Sequence, residues 1–256
     1  MTLLTGSSVS DELLDSAKGR LSVVMPCYNE RATIEEIVKR VLDSPFTGEL
    51  IIVDDGSTDG TREILAGFDD PRVEVVFHDR NRGKGSALRS GFARATLDYV
   101  IIQDADLEYD PVDYSEMLAP LVDGRADVVF GSRLHTSRPH RVLYYWHYVG
   151  NKILTTFSNM FTNLNLTDME TCFKAFRREV VQTLELREDR FGIEPEITAK
   201  VAAGGWRIYE VGISYAGRTY AEGKKISWRD GLSALWCIIR YSPLLARLRR
   251  RLMGKR

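Results

Sequence analysis

The chain has 256 residues, of which 44% are hydrophobic and 28% charged, as is typical of a folded protein with room for one α/β domain. Its formal net charge is −1, so the chain as a whole has no general attraction for polyanions. The charge balance therefore argues against nucleic acid as a partner.

Strand and helix patterns alternate from residue 21 onward. Short runs rich in Val, Ile and Leu predict strands, and segments with helical spacing predict the helices between them. Such alternation is typical of a parallel sheet covered on both faces, so we predict an α/β fold. In chain order the elements are strand Leu21–Met25, helix Thr33–Leu42, strand Leu50–Val53, helix Thr61–Phe68, strand Val73–Phe77, helix Gly85–Thr96, strand Tyr99–Gln103, helix Val112–Val122 and strand Asp127–Phe130.

The second half of the chain has a different character. The aromatic stretch Leu143–Leu164 has helical spacing, and an apolar helical segment begins at Trp228 and is interrupted near Pro243. We therefore predict a flexible leader over 1–20, a main domain over 21–225 and a basic amphipathic helical segment over 226–256.

The three cysteines are far apart, with no partner at metal-ligand spacing, so we expect reduced thiols in a reducing compartment. The leader contains acids and no long apolar run, so we expect no signal peptide. No stretch reaches the roughly 18 apolar residues of a spanning helix, so we expect a chain that does not cross a membrane by itself.

Nearly every predicted strand ends in a cluster of polar residues. In chain order the clusters read PCYNE, DDGSTDG, HDRNRGKG, QDADLE and GSR. Ligands of parallel α/β sheets bind beyond the carboxyl ends of the strands, so we predict a ligand site at this edge.

Asp104 and Asp106 follow the fourth predicted strand. Residues two apart in an extended chain point to the same side, so both carboxylates can face one point. They would repel each other unless a cation or protons relieved them, and Mg²⁺ completed by substrate phosphates suits that need. We predict a divalent metal site here, with Glu108 as a candidate third ligand. The alternative is an acidic turn that caps the helix near Val112.

Two other strand ends suit a nucleotide. In PCYNE, the ring of Tyr28 could stack on a base, although Asn29 or Glu30 could instead serve the N-terminus of the next helix. In DDGSTDG we assign Asp55 to a ligand and Asp59 to capping.

The segment NRGKGS resembles a phosphate-binding loop only in part. His78 stands where the Walker pattern needs glycine, and Leu88 replaces the third glycine of the dinucleotide fingerprint. A glycine-rich helix start with Lys84 still suits a phosphate, and the alternative is a flexible turn with surface cations. The other candidate anion contacts are Arg133, Arg218, Lys224 and Lys225.

Together these motifs resemble inverting glycosyltransferases with a GT-A fold that use nucleotide diphosphate sugars. The likeness is closest to dolichyl-phosphate mannose and glucose synthases and their bacterial polyprenyl-phosphate relatives. It runs in family order from about Leu21 to Gly231, through FGIEPEITAK and YAGRTYAEGKKISWRDG. The segment TDMETCFKAF differs from the commoner Ser-Gly-Phe version, since Thr171 and Cys172 take those places.

The resemblance implies a GT-A fold, with a mostly parallel, Rossmann-like sheet between helices and C-terminal amphipathic helices. It implies metal-dependent inverting transfer of a sugar from a UDP- or GDP-sugar to a polyprenyl or dolichyl phosphate, with Mg²⁺ or Mn²⁺ as cofactor. Arg133 would meet the acceptor phosphate, and Arg218 with Lys225 would clamp the donor phosphates. The implied catalytic residues are Asp104, Asp106, Arg133 and Arg218, the donor-binding residues Pro26, Tyr28, Glu30, Asp55, Lys84, Asp104, Ala105, Asp106, Arg218 and Lys225, and the metal ligands Asp104, Asp106 and Glu108.

A phosphate acceptor is already an oxyanion near neutral pH, so it needs no general base to attack the sugar. Catalysis would consist of in-line alignment and of stabilising the leaving diphosphate. An acceptor hydroxyl would need a base, and Asp168 or Glu194 would then be the candidates.

The tail is basic, with leucines between the cations. Such a segment can lie on an anionic membrane surface, each cation contributing roughly 1 kcal/mol, and the aromatic stretch Tyr144–Phe161 could add a hydrophobic contact. We therefore expect a peripheral protein on the cytoplasmic face, and the alternative is that both helices pack in the core or at a dimer interface. The cations are Arg240, Arg247, Arg249, Arg250, Arg251, Lys255 and Arg256.

Three other functions stay open. They are transfer to a soluble or glycan acceptor, nucleotidyl transfer, and a non-catalytic role as a nucleotide-sugar-binding membrane adaptor. A nucleotidyltransferase would normally have a glycine- and arginine-rich loop near the first strand, where this chain has PCYNE. The sequence leaves open the sugar, the base and a homo-oligomeric state, with a lean to UDP-sugars from the resemblance.

Overall fold

The computed structural model describes residues 11–135, 141–142, 144–218 and 228–246. Within these ranges the strands are β1 (Leu21–Cys27), β2 (Thr47–Asp54), β3 (Val73–Phe77), β4 (Tyr99–Ile102), β5 (Val128–Ser132), β6 (Lys174–Arg177) and β7 (Ile208–Gly212). The helices are α1 (Asp11–Asp15), α2 (Ile34–Asp43), α3 (Thr61–Leu65), α4 (Lys84–Phe92), α5 (Tyr114–Val122), α6 (Tyr145–Thr162), α7 (Arg178–Thr183), α8 (Ile193–Gly204) and α9 (Trp228–Tyr241), with a 3₁₀ turn at Pro111–Asp113.

All seven strands belong to one sheet with the order β3-β2-β1-β4-β6-β5-β7. Only β6 among them is antiparallel to its neighbours, β4 and β5. Val24 of β1 pairs with Ile51 of β2 and with Ile102 of β4, so these three strands end side by side. Because Lys174 at the start of β6 pairs with Phe130 near the end of β5, the antiparallel strand begins at the same edge.

Helices cover both faces because the central strands are apolar on both sides. On one face, Val23 packs in a buried cluster with Ile37 of α2 and Leu118 of α5. On the other face, Val24 packs in a second cluster with Leu88 of α4, and α8 and α9 contribute to it. The two clusters hold the sheet rigid, so the strand ends carry the loops of the site at fixed positions.

The predicted mostly parallel sheet between helices is confirmed, and each predicted element is present with its ends shifted by a few residues. Strands β6 and β7 were not predicted from the sequence. β6 has four residues, a lysine at one end and an arginine at the other, so it lacks the apolar run of a buried strand. β7 lies at the sheet edge and is only partly buried.

Some predictions fall at the ends of the chain. Residues 11–15, which were assigned to a flexible leader, form α1 and contact α5, and Ala17 is fully buried. Lys224, Lys225 and the basic tail from Arg247 lie outside the described residues. Within the described part of the chain, none of the helices has both the length and the hydropathy that membrane crossing requires. All three cysteines are free.

Candidate active site

Arg218 holds the predicted metal loop, residues 104–108, against the PCYNE segment at the end of β1. The Arg218 guanidinium donates to the main-chain carbonyl of Asp106 and forms an ion pair with Glu30, with 2.8 Å between Nη2 and Oε2. Thr33, just before α2, donates its hydroxyl to the carbonyl of Ala105 at 2.8 Å. The structure therefore brings together Glu30, Arg218 and the Asp-Ala-Asp segment. Their predicted contacts with a donor stay a prediction.

Glu108 lies beside this group but is turned toward other partners. One carboxylate oxygen accepts from the Tyr215 hydroxyl at 2.7 Å, and the other accepts from the main-chain N–H of Arg218 at 2.8 Å. Both oxygens thus hold the segment around Tyr215 in place. A role for Glu108 as a third metal ligand stays a prediction.

Lys84 forms an ion pair with Asp104, the first acid of the metal loop. Its Nζ lies 2.7 Å from Oδ1 of Asp104 and 3.8 Å from Oε1 of Glu194, and its side chain is 13% exposed. Burial acts to lower the pKa of Lys84, but Asp104, Cys172 and Glu194 together raise the pKa well above its usual value. Lys84 therefore carries a permanent positive charge at the edge of the metal loop.

The carboxylates of the loop are crowded. Burial, followed by the negative charges of Asp104 and Glu108, raises the pKa of Asp106 to about 7. Two nearby oxygen ligands whose charges repel are a donor set that a hard divalent cation satisfies. Mg²⁺ is often held by one or two carboxylates with substrate phosphates completing the shell, so Asp104 and Asp106 fit such an ion. Among the described residues no group of three or more His, Cys, Asp or Glu side chains could hold a metal ion.

Asp55, predicted to bind the donor, is engaged inside the protein. Its side chain is 4% exposed, and its carboxylate accepts from the main-chain N–H groups of Arg82 and Gly83 and lies 2.8 Å from Nδ1 of His78. Asp59 accepts from the N–H of Thr61 at the start of α3, which agrees with its predicted capping role. A donor contact for Asp55 stays a prediction.

The glycines of the NRGKGS segment serve close packing. The N–H groups of Gly85 and Ser86 donate to the carbonyl of Asp189, and a Cβ on Gly85 would lie only 2.1 Å from the carbonyl oxygen of Glu188. These two amides at the start of α4 are therefore engaged within the protein. These bonds argue against a flexible turn, and Lys84 is the part of this segment that reaches the site. A phosphate contact for Lys84 stays a prediction.

Arg133 forms a two-pronged ion pair with Asp168 at the end of β5. Nε and Nη2 of Arg133 lie 2.6 and 2.7 Å from the two carboxylate oxygens, and Asn151 of α6 donates to one of them at 2.8 Å. The guanidinium lies over the Tyr215 ring, 5.2 Å from its centroid. Burial alone would raise the pKa of Asp168, but Arg133 and Asn151 outweigh it and lower the pKa below its usual value. Tyr215 thus connects Arg133 with Glu108 and the metal loop.

The contacts of Lys174 were not predicted from the sequence. This lysine is fully buried on β6, and its ammonium donates to the carbonyls of Met169 and Thr171 and to the carboxylate of Glu194. A lysine flanked by Phe173 and Ala175 in a short apolar segment was the one available signal. Lys174 connects the TDMETC segment to α8.

Glu170 is the second group that sequence reasoning missed. Burial, followed by the charge of Glu194, raises the pKa of Glu170 to about 7. Its Oε1 is buried without a hydrogen-bond partner. Glu170 is therefore a half-buried acid that can hold a proton near neutral pH.

The remaining predicted donor residues lie around the same edge. Pro26 is the sixth residue of β1 and is partly buried, whereas Tyr28 directly after the strand is 36% exposed. Ala105 is buried between the two acids. Lys225 lies outside the described residues.

Comparison with solved structures supports the fold. Glucosyl-3-phosphoglycerate synthase from Mycobacterium tuberculosis, solved with Mn²⁺, UDP and phosphoglyceric acid, superposes with a TM-score of 0.70 at 21% identity. The match covers 93% of this chain and 83% of that one. The topology is therefore that of a Rossmann-like GT-A fold.

Curated relatives are similar in sequence. Glycosyltransferase AglJ of Haloferax volcanii is 33% identical over 194 residues, which are 75% of this chain and 62% of AglJ. The low-salt glycan biosynthesis hexosyltransferase Agl6 of the same organism is 31% identical, over 86% of this chain and 54% of Agl6. The polyprenol monophosphomannose synthase of Mycolicibacterium smegmatis is 29% identical, over 80% of each chain. This chain thus spans little more than half of the length of AglJ and Agl6.

The family model for glycosyl transferase family 2 matches residues 22–185, which is more than half of the chain and includes the metal loop, Lys84 and Arg133. The chain belongs to glycosyl transferase family 2.

Proposed function

We propose that this protein transfers a sugar, with inversion at the anomeric carbon, from a nucleotide diphosphate donor to a polyprenyl phosphate. UDP is the nucleotide that we propose, and Mg²⁺ or Mn²⁺ is the proposed cofactor. The catalytic domain comprises residues 21–225. The observation that carries the proposal is the contact of two cations with the metal loop at the strand ends: Lys84 pairs with the Asp104 carboxylate, and Arg218 donates to the Asp106 carbonyl.

This arrangement suits a diphosphate leaving group. A divalent ion at Asp104 and Asp106 would act as a Lewis acid toward the departing diphosphate. Lys84 carries a fixed positive charge beside Asp104, and Arg218 is fastened to the metal loop by the Asp106 carbonyl. Two cations fixed in advance stabilise developing negative charge without reorganisation during the reaction.

The acceptor side supports an anionic nucleophile. Asp168 is held in its ion pair with Arg133, and Glu194 in its ion pair with Lys174, so each candidate base is already engaged by a cation. The described bonds to Asp168 use two of the five N–H donors of the Arg133 side chain, which leaves donors for a phosphate. A phosphate monoester can attack as it stands.

The relatives support the same assignment. The polyprenol monophosphomannose synthase of M. smegmatis and an undecaprenyl-phosphate 4-deoxy-4-formamido-L-arabinose transferase of Proteus mirabilis, 29% identical, are named for lipid phosphates. The synthase from M. tuberculosis was solved with UDP and Mn²⁺. These names support a lipid phosphate acceptor, a uridine nucleotide and a divalent metal for this chain.

Exposed apolar side chains on two packed helices support a peripheral membrane location on the cytoplasmic face. Trp146 of α6 is 78% exposed and Trp236 of α9 is 62% exposed, and both helices expose further apolar residues. Ser242, directly after α9, donates to the carbonyl of Phe161 at 3.0 Å, which joins the ends of the two helices. Indole rings favour the membrane interface, and the basic sequence that follows α9 would complement anionic headgroups. Because Asn151 of α6 bonds to Asp168, the same helix reaches the acceptor side.

We expect replacement of both exposed tryptophans by serine to weaken binding to vesicles by at least about tenfold, since each buried indole contributes favourable transfer energy. The measurement is co-sedimentation of the full chain with phosphatidylglycerol vesicles at low and high salt. Phe77→Ser on edge strand β3, where the side chain is 40% exposed, is the matched control and should bind like the wild type. Equal binding by the double variant Trp146→Ser/Trp236→Ser would contradict the proposed membrane face.

The transfer reaction itself is tested with a panel of UDP- and GDP-sugars, Mn²⁺ or Mg²⁺, and a polyprenyl phosphate in detergent. We expect one donor to give a sugar-phosphate lipid whose formation stops when EDTA removes the metal. Donor hydrolysis without any lipid product would reject the lipid acceptor.

A second candidate is transfer to a soluble hydroxyl acceptor, and it is favoured by Glu170. An acid with a pKa of about 7 suits a general base at neutral pH. Phosphoglyceric acid is the acceptor to include in the same panel, because it accompanies UDP in the M. tuberculosis structure. A glycosylated soluble product that Glu170→Gln abolishes would favour this candidate.

A further inference from the structure

Four charges of alternating sign, two buried and two half-buried, run from β6 to the metal loop. Lys174 on β6 contacts Glu194 on α8, Glu194 lies 3.8 Å from Lys84 on α4, and Lys84 lies 2.7 Å from Asp104. The exposed fractions of the side chains are 0% for Lys174, 4% for Glu194, 13% for Lys84 and 16% for Asp104. The charges therefore act on one another with little screening by water.

The Lys84 ammonium lies between the carboxylates of Asp104 and Glu194 and is closer to Asp104. Its ammonium is hydrogen-bonded to Asp104, whereas Oε1 of Glu194 is buried without a hydrogen-bond partner. The other oxygen of Glu194, Oε2, is bonded by Lys174. Lys174 thus neutralises much of the attraction that Glu194 would otherwise exert on Lys84.

The position of Lys174 is fixed independently of Lys84. Its ammonium also donates to the carbonyls of Met169 and Thr171 and lies 5.0 Å from the centroid of the Phe130 ring. A lysine held by two carbonyls, an aromatic face and a carboxylate cannot easily follow Glu194 if that side chain moves. Lys174 is therefore a positive charge at a fixed position that balances the charge of Glu194.

We propose that Lys174, acting through Glu194, is a positioning residue that holds the Lys84 ammonium on Asp104 and so sets how readily Asp104 accepts a metal ion. This inference rests on the metal site of the proposed function. It concerns Lys174, which lies outside the predicted donor, acceptor and metal residues. When Lys84 is held on Asp104, a metal must compete with the ammonium for that carboxylate.

The two ends of the Lys174–Glu194 pair should therefore have opposite effects. Lys174→Met leaves Glu194 without its counter-charge, so Lys84 should shift toward Glu194 and release Asp104. Glu194→Gln removes the competing negative charge, so Lys84 should bind Asp104 more firmly. We expect the affinity for Mn²⁺ alone to rise about fivefold in the first variant and to fall about fivefold in the second, at the lower end of couplings between sites.

The test is titration of the full chain with Mn²⁺ alone, in the absence of donor, followed by electron paramagnetic resonance of the free ion. Lys200→Met is the matched control, because Lys200 pairs with the buried Glu196 at 2.7 Å on the same helix and lies outside this chain of charges. It should bind Mn²⁺ like the wild type. Circular dichroism and the Tm of each variant establish that it is folded.

Opposite shifts in Mn²⁺ affinity support the inference. Shifts of the same sign, or no shift in the folded Glu194→Gln variant, overturn it, since a purely structural role would weaken the site in both variants. If Lys174→Met does not fold, Lys174→Gln, which removes the same charge and keeps a hydrogen-bond donor, takes its place and should raise the affinity. A wild-type chain that binds no Mn²⁺ at millimolar concentration rejects the proposed metal site itself, and this inference with it.

Discussion

Asp106→Ala is expected to lower the rate of sugar transfer by at least about a thousandfold while the fold persists, in the range seen when a main electrostatic contact of a transition state is lost. The carboxylate is one of the two that fit the metal ion, and the remaining acid, Asp104, is already paired with Lys84. Loss of Asp106 should therefore abolish the high-affinity binding of Mn²⁺ as well as turnover.

The stability of Asp106→Ala should not fall with its activity, and we expect it to stay the same or rise. A carboxyl whose pKa is raised to about 7 destabilises the folded state once the pH exceeds its unfolded value near 3.9, and the penalty is complete above about pH 7. Asp106→Ala removes that penalty, so its Tm at pH 8 should equal or exceed that of the wild type. The carbonyl of residue 106 remains available to Arg218.

Transfer rate, Mn²⁺ binding and Tm of the same preparations check this prediction together. Asp79→Ala is the matched control, because the Asp79 side chain is 97% exposed and it should behave like the wild type in all three. An Asp106→Ala variant that transfers sugar at a near wild-type rate would remove the metal from the proposed mechanism.

Much of the fold could be predicted because its central strands are apolar on both faces. β1, β2 and β4 are short runs that only a covered parallel sheet accommodates, and each is followed by polar residues at the functional edge. β6 could not be found in this way. Its burial depends on Lys174 being neutralised by Glu194, two residues that are 20 positions apart in the chain.

The same contrast between local patterns and long-range contacts applies to the residues of the site. Asp104 and Asp106 could be proposed as metal ligands from the sequence because that inference needs only the spacing of a local motif. Asp55 was assigned to a ligand from its position, and only the fold shows that His78 and two amides of the next loop engage it. The contact of Glu108 with Tyr215 joins residues 107 positions apart, so no local pattern reveals it.

Arg133→Ala is expected to lower the free energy of unfolding by about 3–5 kcal/mol, the usual cost of removing one partner from a buried ion pair. The Asp168 side chain is 0% exposed, and the variant leaves it with Asn151 and the main-chain N–H of residue 133 as its remaining donors. Urea unfolding at pH 7 measures the change. Arg20→Ala, which breaks an exposed pair with Asp98, is the control and should cost at most about 1 kcal/mol.

The pH dependence separates the ion pair from lost packing. Because the pKa of Asp168 is lowered in the folded protein, its contribution to stability is present above its unfolded pKa near 3.9 and is lost as the pH falls through the lower folded value. The wild type should therefore lose stability below about pH 4, whereas Arg133→Ala has already lost this contribution. The difference in free energy of unfolding between the wild type and Arg133→Ala should therefore decrease as the pH falls. If the difference in free energy of unfolding stays constant from pH 7 to pH 3, Arg133 stabilises the fold through packing alone. The Asp168 carboxylate would then not be the group that holds the Arg133 guanidinium in place for the acceptor phosphate.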